Sequence, residues 1–497
     1  MKNFTTMRKI FCFISIALLL ILGFQACNPD NFLDTNVPSI DQSSFFSSDK
    51  TALTALVGAY DPMGWMEYIQ YLDWVIGDVV SDDAAKGGGG DGDQQTIYDM
   101  EHFKTNAENP SLAIVWRQLY IGINRANRVI EEVTDNENIT PDGQKRIIAE
   151  AKFIRGYYNF CLIKVFGAFP IVDHILLVTE YSKPRNTLEE CWTAIENDFK
   201  DAMEGLPNKK DMPAAEIGRA TWGAAAAFLT KAYIFQEKWK EAEPLARQIV
   251  ESGDYELEKN YGDLFTIATD NGIESVFDVQ QKDFNMTAWG DENEGSQVEI
   301  YQRSRDDRNG GWGFDQPTQD LYDEFEPGDI RRKWTIISDG DTLWKGTDDE
   351  EIIYTKWDPV HNDNKPMTGY NKRKGTLPLS QRPGMIDAAG LNVRVIRFAD
   401  VLLWQSEAAF HNGNDWETPL NKVRARVGLG PSPFRSDPLK AIYHERRVEL
   451  ALESHRYWDL VRTGRGNLME GYADNKRYFP IPQVEINLNP NLEQNPY

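Results

Sequence analysis

ATWGAAAAFLTKAYIFQEKWKEAEPLARQIVESGDY (residues 220–255) has the clearest helical pattern in the chain. Apolar residues recur at helical spacing on both sides of a break near Gln236 and Glu237. The run of alanines lets a partner helix approach closely, and Trp239, Ala242 and Ala246 continue the packing face. The stretch therefore predicts two helices that pack against each other.

A second stretch, RFADVLLWQSEAAFHNGNDWETPLNKVRARVGL (397–429), repeats the arrangement: an alanine-rich helix, a short turn, a tryptophan and a second helix. Small residues at the crossing and a unit of about 34 residues resemble the tetratricopeptide repeat. One such unit cannot bury its apolar face alone, so we expect several helix pairs to stack. Any antiparallel helix pair shares part of this pattern.

Two long helices are predicted earlier in the chain, over 111–133 and 149–167, from apolar residues three to five apart. The segment SDDAAKGGGGDGDQQ (81–95) has four consecutive glycines, so we expect a loop without regular structure. Between 261 and 395 the periodicity fades, with ESVFDVQQ and EIIYTKWD as short strand candidates. The predicted fold is mainly α, with a loop-rich insertion that contains short strands.

The N-terminus predicts a lipoprotein signal. Lys2, Arg8 and Lys9 precede an apolar run over 10–24, which is shorter than the roughly 20 residues a membrane-spanning helix needs. Ala26 stands directly before Cys27, so cleavage there would leave Cys27 first and available for lipidation. We expect residues 1–26 to be the signal and 27–42 a lipidated tether; a plain secretion signal is the alternative.

Charge restricts the partners of the chain. The 497 residues include 53 basic and 77 acidic side chains, a formal charge of −24, and loss of the signal would bring it to about −27. This charge argues against nucleic acid or an anionic lipid surface as a partner, because both would repel the protein. Cys161 and Cys191 lie in predicted helices, which favours two buried thiols over a disulfide.

Two stretches offer the flat aromatic rings and planar polar side chains that sugars require. They are WMEYIQYLDW (65–74), which precedes the glycine-rich loop, and KDFNMTAWGDENEGSQVEIYQRSRDDRN (282–309). The candidate ligand-binding residues are Trp289, Tyr301, Trp74, Tyr98, Asp291 and Arg303. Trp65, Tyr68 and Tyr71, at helical spacing, and Trp312 and Phe314 of the GWGF turn, are expected more often in the core.

Known catalytic and metal-binding fingerprints are absent from the sequence. The six histidines form no HExxH pair, and no GxSxG, P-loop or dinucleotide-binding motif occurs. Asp91-Gly-Asp93 suggests calcium but lacks the later ligands of an EF-hand loop. In HERRVELALESHRYWDLVRTG (444–464), opposite charges three or four apart predict a buried arginine–carboxylate pair. We expect no enzymatic activity, no cofactor and no metal.

Several blocks, in order, resemble the SusD/RagB-like outer-membrane lipoproteins of the Bacteroidetes. They are Cys27 with NFLDTN, EAKFIRGYYNFCLIKVFGAFPIV (150–172), GWGFDQPTQDLYDEFEPGDIRR, RFADVLLWQSEAAF, LNKVRARVGL, HERRVELALESHRYWDLVRTG and FPIPQVEINLNPNLEQNP. Departures are small, with Gly156 where alanine is usual and Ser454 where glycine is usual.

The resemblance implies helical regions over 43–260 and 396–497 around a ligand-facing insertion over 261–395. It also implies a lipid-anchored protein on the cell exterior, placed over a SusC-like TonB-dependent transporter in the outer membrane. Such proteins capture an oligosaccharide, or a peptide in some relatives, without catalysis. Two further hypotheses stay open: a helical glycoside hydrolase and a protein-interaction scaffold.

Overall fold

The structure is a computed structural model that describes residues 45–65, 71–282, 298–305, 310–356, 365–382 and 389–497. Helices dominate the described part of the chain. They are α1 (Asp49–Tyr60), α2 (Gln95–Glu101), α3 (Pro110–Val133), α4 (Pro141–Phe166), α5 (Leu188–Gly205), α6 (Trp222–Phe235), α7 (Trp239–Glu251), α8 (Val298–Gln302), α9 (Gln319–Glu324), α10 (Arg331–Thr335), α11 (Phe398–His411), α12 (Glu417–Arg426), α13 (Pro438–Glu449), α14 (Arg456–Arg462) and α15 (Gln483–Leu488). A π-helical segment covers Tyr71–Val79.

The strands are short and form two-stranded antiparallel sheets: β1 with β3, β2 with β8, β4 with β7, and β5 with β6. Their bounds are β1 (Ala84–Gly87), β2 (Ser275–Val279), β3 (Phe314–Pro317), β4 (Ile336–Ile337), β5 (Asp341–Leu343), β6 (Glu351–Ile353), β7 (Asn371–Lys372) and β8 (Val393–Arg397). The strand candidates ESVFDVQQ and EIIYTKWD are confirmed as β2 and β6. The prediction of a loop over 81–95 is wrong at β1, because pairing with β3 imposes an extended backbone on four residues of low strand propensity.

Helix boundaries follow local capping chemistry. At the start of α4, the Thr140 hydroxyl accepts a hydrogen bond from the Gly143 N–H, and Pro141 occupies the first turn, where no N–H is needed. The helix ends at Gly167, whose φ of +72° favours glycine. At α5, Thr187 and Glu190 form a capping box. These two helices therefore begin where their sequences supply side-chain acceptors.

The helices stack in chain order, α3 on α4, α4 on α5, α5 on α6 and α6 on α7. Although 261–395 separates them in sequence, α7 then packs on α11, which pairs with α12. At this junction Trp239 stacks on His411 with ring centroids 4.1 Å apart, and Asn412 Nδ2 donates to the Trp239 carbonyl at 2.9 Å. The two predicted helix pairs are thus neighbours, and the mainly α fold is confirmed.

Close approach between α3 and α4 depends on one glycine. A Cβ at Gly122 would lie 2.2 Å from the Tyr158 ring. Tyr158 is buried, and its hydroxyl donates to the Ala59 carbonyl at 3.0 Å, so the ring has a fixed position. The Tyr158 side chain therefore connects α4 to α1 through its hydrogen bond, and it passes α3 at Gly122, where no side chain blocks it.

The main core contains residues from both helical regions and from the insertion, including Ile300 and Phe314. Cys161 and Cys191 are buried in it and form no disulfide, which confirms two buried thiols. Burial raises the pKa of the Cys191 thiol to about 11. The boundaries 43–260, 261–395 and 396–497 stay a prediction, since the shared core does not mark them. In the described ranges no helix is long and apolar enough to cross a bilayer.

A buried ionic layer surrounds α13. Arg331 has no exposed side-chain surface; its guanidinium donates to Asp329 at 2.7 Å, to Glu445 at 2.5 Å and to Glu449 at 3.0 Å. On the other side of Glu449, Arg397 donates at 3.1 Å. Within 444–464, the predicted arginine–carboxylate pair is confirmed by Arg462 and Asp459, three residues apart and joined at 2.8 Å, and Arg446 contacts the same carboxylate at 2.9 Å.

Candidate ligand-binding face

The segments that follow the two stretches singled out for ligand contact meet at the β1–β3 sheet. Ala84 pairs with Pro317 and Gly87 with Phe314. The Gly88 N–H donates to the Gly313 carbonyl at 2.8 Å and continues the pairing past the end of β1. The glycine-rich loop after β1 and the GWGF turn before β3 are therefore adjacent, although more than 200 residues separate them in sequence.

A lysine organises the glycine-rich loop. The buried ammonium of Lys86 donates to the carbonyls of Gly87 at 3.2 Å, Gly90 at 2.8 Å and Asp93 at 2.6 Å. Burial lowers the pKa of Lys86, and the nearby Asp93 opposes that change. The Asp93 carboxylate also accepts from the Gly89 N–H at 2.7 Å. The Lys86 ammonium therefore holds three carbonyls of the loop together.

Trp312 and Arg305 connect this loop to the GWGF turn. Arg305 Nη1 donates to the Trp312 carbonyl at 3.2 Å and lies 3.8 Å from the Asp93 carboxylate. The half-buried Trp312 ring packs edge-on against Tyr301, with centroids 4.5 Å apart. Trp312 is therefore packed on one side and partly open to solvent, as a sugar platform requires. Phe314 is buried, as expected of a core residue.

A second aromatic pair adjoins β3. The Tyr322 and Tyr370 rings stack with centroids 4.8 Å apart, and the Tyr370 hydroxyl donates to Gln319 at 2.8 Å. Next to them Met367 is 59% exposed, and its N–H donates to the Gln316 side chain of β3 at 2.7 Å. The sequence analysis did not select these residues. No local signal marked them, because the segments that hold them meet only in the fold.

Tyr98 is the candidate that remains accessible. It lies on α2, is half-buried and stacks on His102 with ring centroids 4.1 Å apart. Lys104 Nζ lies 5.7 Å from the centroid of the same ring. Tyr98 therefore stays a predicted ligand contact.

Three other candidates are buried in the structure. Trp74 is 1% and Tyr301 5% exposed, and their rings pack against each other and against Phe314 at centroid distances of 5.5–5.9 Å. Arg303 is 5% exposed, and its carbonyl accepts from the Gly313 N–H at 2.9 Å. The three residues pack beneath the GWGF turn, where the insertion covers their side chains, and their contact with a ligand stays a prediction.

Of the other residues named from the sequence, some are buried in the core and some lie outside the described residues. Trp65 and Tyr71 are buried, as their helical spacing indicated. Trp289, Asp291, Tyr68 and the anchor Cys27 lie outside the described residues, so their roles stay predictions.

The face is equipped for binding through ring stacking and hydrogen bonds. Within the described ranges, no three histidine, cysteine or acidic side chains are grouped in a way that could hold a metal ion. The accessible groups around β1 and β3 include half-buried aromatic rings, backbone amides of the glycine-rich loop, and the exposed side chains of Asp91, Gln94, Gln319 and Asp320. Such a surface recognises a neutral, hydroxyl-rich ligand by shape.

Comparison with protein families decides the relationship. A model described as "SusD family" matches residues 273–478, and one described as "Starch-binding associating with outer membrane" matches residues 31–234. The chain belongs to the SusD/RagB-like family. The two matches cover most of this SusD-like protein, including large parts of both helical regions and the β1–β3 face.

Individual relatives agree with this assignment. "SusD-like protein P2" of Formosa agariphila is 24% identical over 96% of this SusD-like chain and 98% of its own. Among solved structures, a "Laminarin binding SusD-like protein" is 27% identical, with a TM-score of 0.78 over 90% of this chain and 99% of its own. "Surface glycan-binding protein A from Bacteroides fluxus" is 26% identical, with a TM-score of 0.77 and the same coverage.

Proposed function

We propose that this SusD-like protein binds an oligosaccharide or polysaccharide at the cell surface and delivers it to a SusC-like TonB-dependent transporter. The observation that carries the proposal is the adjacency of Trp312 and the glycine-rich loop at the β1–β3 sheet. The family relationship and the laminarin-binding relative support it. Laminarin is therefore the first ligand to test.

The proposed recognition uses both properties of the face. The C–H side of a sugar ring packs on an aromatic ring, here Trp312 or Tyr98, while hydroxyls bond to amides and planar side chains. Lys86 keeps the glycine-rich loop in one conformation through its three carbonyl contacts, so little ordering entropy is lost on binding. The protein acts without catalysis, as a receptor.

The proposed location is the outer membrane, with the protein facing the exterior. Lipidation at Cys27 would anchor it, since more than one acyl chain gives stable membrane binding. Labelled palmitate should enter the wild-type protein and should not enter a Cys27→Ala variant. Equal labelling of both proteins would contradict the anchor.

Affinity electrophoresis in gels with laminarin or starch tests glycan binding. Wild-type protein should be retarded by at least one polysaccharide, and Trp312→Ala and Tyr98→Ala should each weaken retention about tenfold through loss of a stacking surface. Tyr181→Ala is the matched control, because Tyr181 is 62% exposed and lies away from the β1–β3 sheet. Unchanged retention in both site variants, with native circular dichroism, would move the binding site elsewhere.

Two related measurements distinguish the proposed glycan binding from its alternatives. Release of reducing sugar from the same polysaccharides would indicate a glycoside hydrolase. Retardation by no polysaccharide, combined with saturable binding of a peptide mixture that Trp312→Ala weakens, would indicate the peptide ligand that some relatives bind.

A further inference from the structure

An interior cavity contains two lysines that the proposed function does not use. It has a volume of about 60 Å³ and lies between α4, α6, the π-helical segment and the turn before α14. The polar residues that line it include Asp73, Lys164, Lys231, Ser454 and His455. None of its lining residues belongs to the glycine-rich loop, to α2 or to the GWGF turn, so the cavity is separate from the β1–β3 face.

Lys231 is a buried cation without an acceptor. It is 6% exposed, and within the described ranges its ammonium makes no hydrogen bond or ion pair. Its ammonium lies 5.6 Å from the centroid of the Trp404 ring. A buried charge without a compensating partner is strongly unfavourable, so this ammonium requires a counter-charge or solvent in the cavity.

Lys164 places a second cation at the same cavity. Its ammonium lies 4.7 Å from the Trp458 ring centroid and 5.5 Å from that of Phe160, and the described part of the chain gives it no hydrogen-bond acceptor. Burial lowers the pKa of Lys231 to about 8; Asp400 opposes this shift, and the charge of Lys164 adds to it. Both ammonium-bearing side chains therefore line one cavity.

The acidic groups around the cavity are engaged or disfavoured as charges. Glu453 binds Arg397 at 2.6 Å and Lys374 at 2.7 Å, and Asp400 binds Arg446 at 2.7 Å. Burial raises the pKa of Asp73, although a hydrogen bond with Ser454 opposes the shift. His455 adds no negative charge, and burial holds its pKa well below the usual value. Arg394, which also lines the cavity, is paired with Asp270 at 2.6 Å. In the described lining, the charged groups outside an ion pair are therefore two ammonium groups and one carboxylate, Asp73, which leaves one positive charge in excess.

We propose that this cavity binds one small inorganic anion between the ammonium groups of Lys164 and Lys231. A single water position takes about 10–15 Å³ of such a volume, so the cavity has room for a tetrahedral oxyanion such as phosphate or sulfate, and also for chloride. The bound anion would join α4, α6 and the 453–455 turn, and would act as a structural ligand.

Thermal unfolding at constant ionic strength tests the site, with gluconate replaced stepwise by phosphate, sulfate or chloride. An anion that binds only the folded state should raise the Tm of the wild-type protein by about 2 °C for each tenfold increase above its Kd. Lys231→Met and Lys164→Met should each abolish this dependence. Lys240→Met, which removes an exposed lysine of α7, should retain it.

Two results would overturn the proposal. One is an equal wild-type Tm in gluconate and in all three test anions, which would indicate that water fills the cavity. The other is a Tm dependence that both Lys231→Met and Lys164→Met retain, which would place the anion elsewhere. If neither variant folds, isothermal titration of wild-type protein with phosphate, sulfate and chloride decides, because absence of saturable binding of one anion per chain contradicts the site.

Discussion

Arg331 illustrates how single residues determine stability in this protein. Its guanidinium is fully buried and bonds to three carboxylates, so its charge is compensated on every side that the structure describes. A buried ion pair adds little net stability compared with apolar packing, but removal of one partner leaves uncompensated charge. Arg331 is therefore necessary because of the carboxylates around it.

Replacement of Arg331 by methionine should lower the free energy of unfolding by about 3–5 kcal/mol, because Glu445 and Glu449 would lose a buried partner. The matched control is Arg435→Met, since Arg435 pairs with Glu417 but its side chain is 61% exposed. That change should cost under about 1 kcal/mol. Urea unfolding measures both, and equal losses would show that burial of the ion pair is unimportant.

Single residues also show the limit of sequence-based prediction at the site. The spacing of Tyr71 and Trp74 identifies a helical segment, but the faces that are covered depend on Tyr301 and Phe314, which the insertion supplies. Trp312 was expected more often in the core, yet its partial exposure makes it the leading candidate. Burial is set by distant segments, so spacing alone does not separate a core ring from a binding ring.

Among the elements, the α3–α4 crossing depends on the absence of one side chain. Gly122→Ala should destabilise the protein by about 1–3 kcal/mol, because the new Cβ would overlap the fixed Tyr158 ring. Gly58→Ala on α1 is the control, since nothing lies within 4 Å of its Cβ position. That change should stabilise the protein by about 0.5–1 kcal/mol through helix propensity. Thermal or urea unfolding measures whether the two changes in stability have opposite signs. A Gly122→Ala variant as stable as wild type would contradict the close approach of α3 and α4.

The elements differ in how well the sequence predicts them. Helix pairs over 220–255 and 397–429 are visible because their period and small residues are local. β1 is not, since AAKG has no strand pattern and its partner β3 lies more than 200 residues away. The sequence therefore predicts which two loops form the site, but it does not predict the tyrosine pair beside β3.

For the whole molecule, acid should weaken the fold through the carboxylates near α13. Burial opposes ionisation of Glu449, but Arg426 and Arg397 outweigh it and hold its pKa well below the ordinary value of 4.5. A carboxyl group whose pKa is lower in the folded than in the unfolded state stabilises the fold at pH values above the unfolded pKa. That contribution is lost as the pH falls through the folded pKa. Burial also opposes ionisation of Asp459, but Arg446 and Arg462 outweigh it and lower the pKa of that carboxyl.

We therefore expect the free energy of unfolding to fall steeply below about pH 4.5. Glu449→Gln should be less stable at pH 7 and should lose less stability between pH 5 and pH 3 than wild type. Urea titrations at those pH values measure the slopes. Parallel slopes would show that Glu449 does not contribute to the acid response.

The buried ion pairs also determine when the protein can finish folding. Arg447 binds Asp83 at 2.7 Å across 364 positions, and Arg456 binds Asp82 at 2.7 Å across 374. Closure of such long loops takes entropy before any contact compensates for it, and contacts this distant in sequence slow folding. A nascent chain that has not yet released its last helices leaves Asp82 and Asp83 without partners. This part of the fold can therefore close only after the last helices of the chain are available.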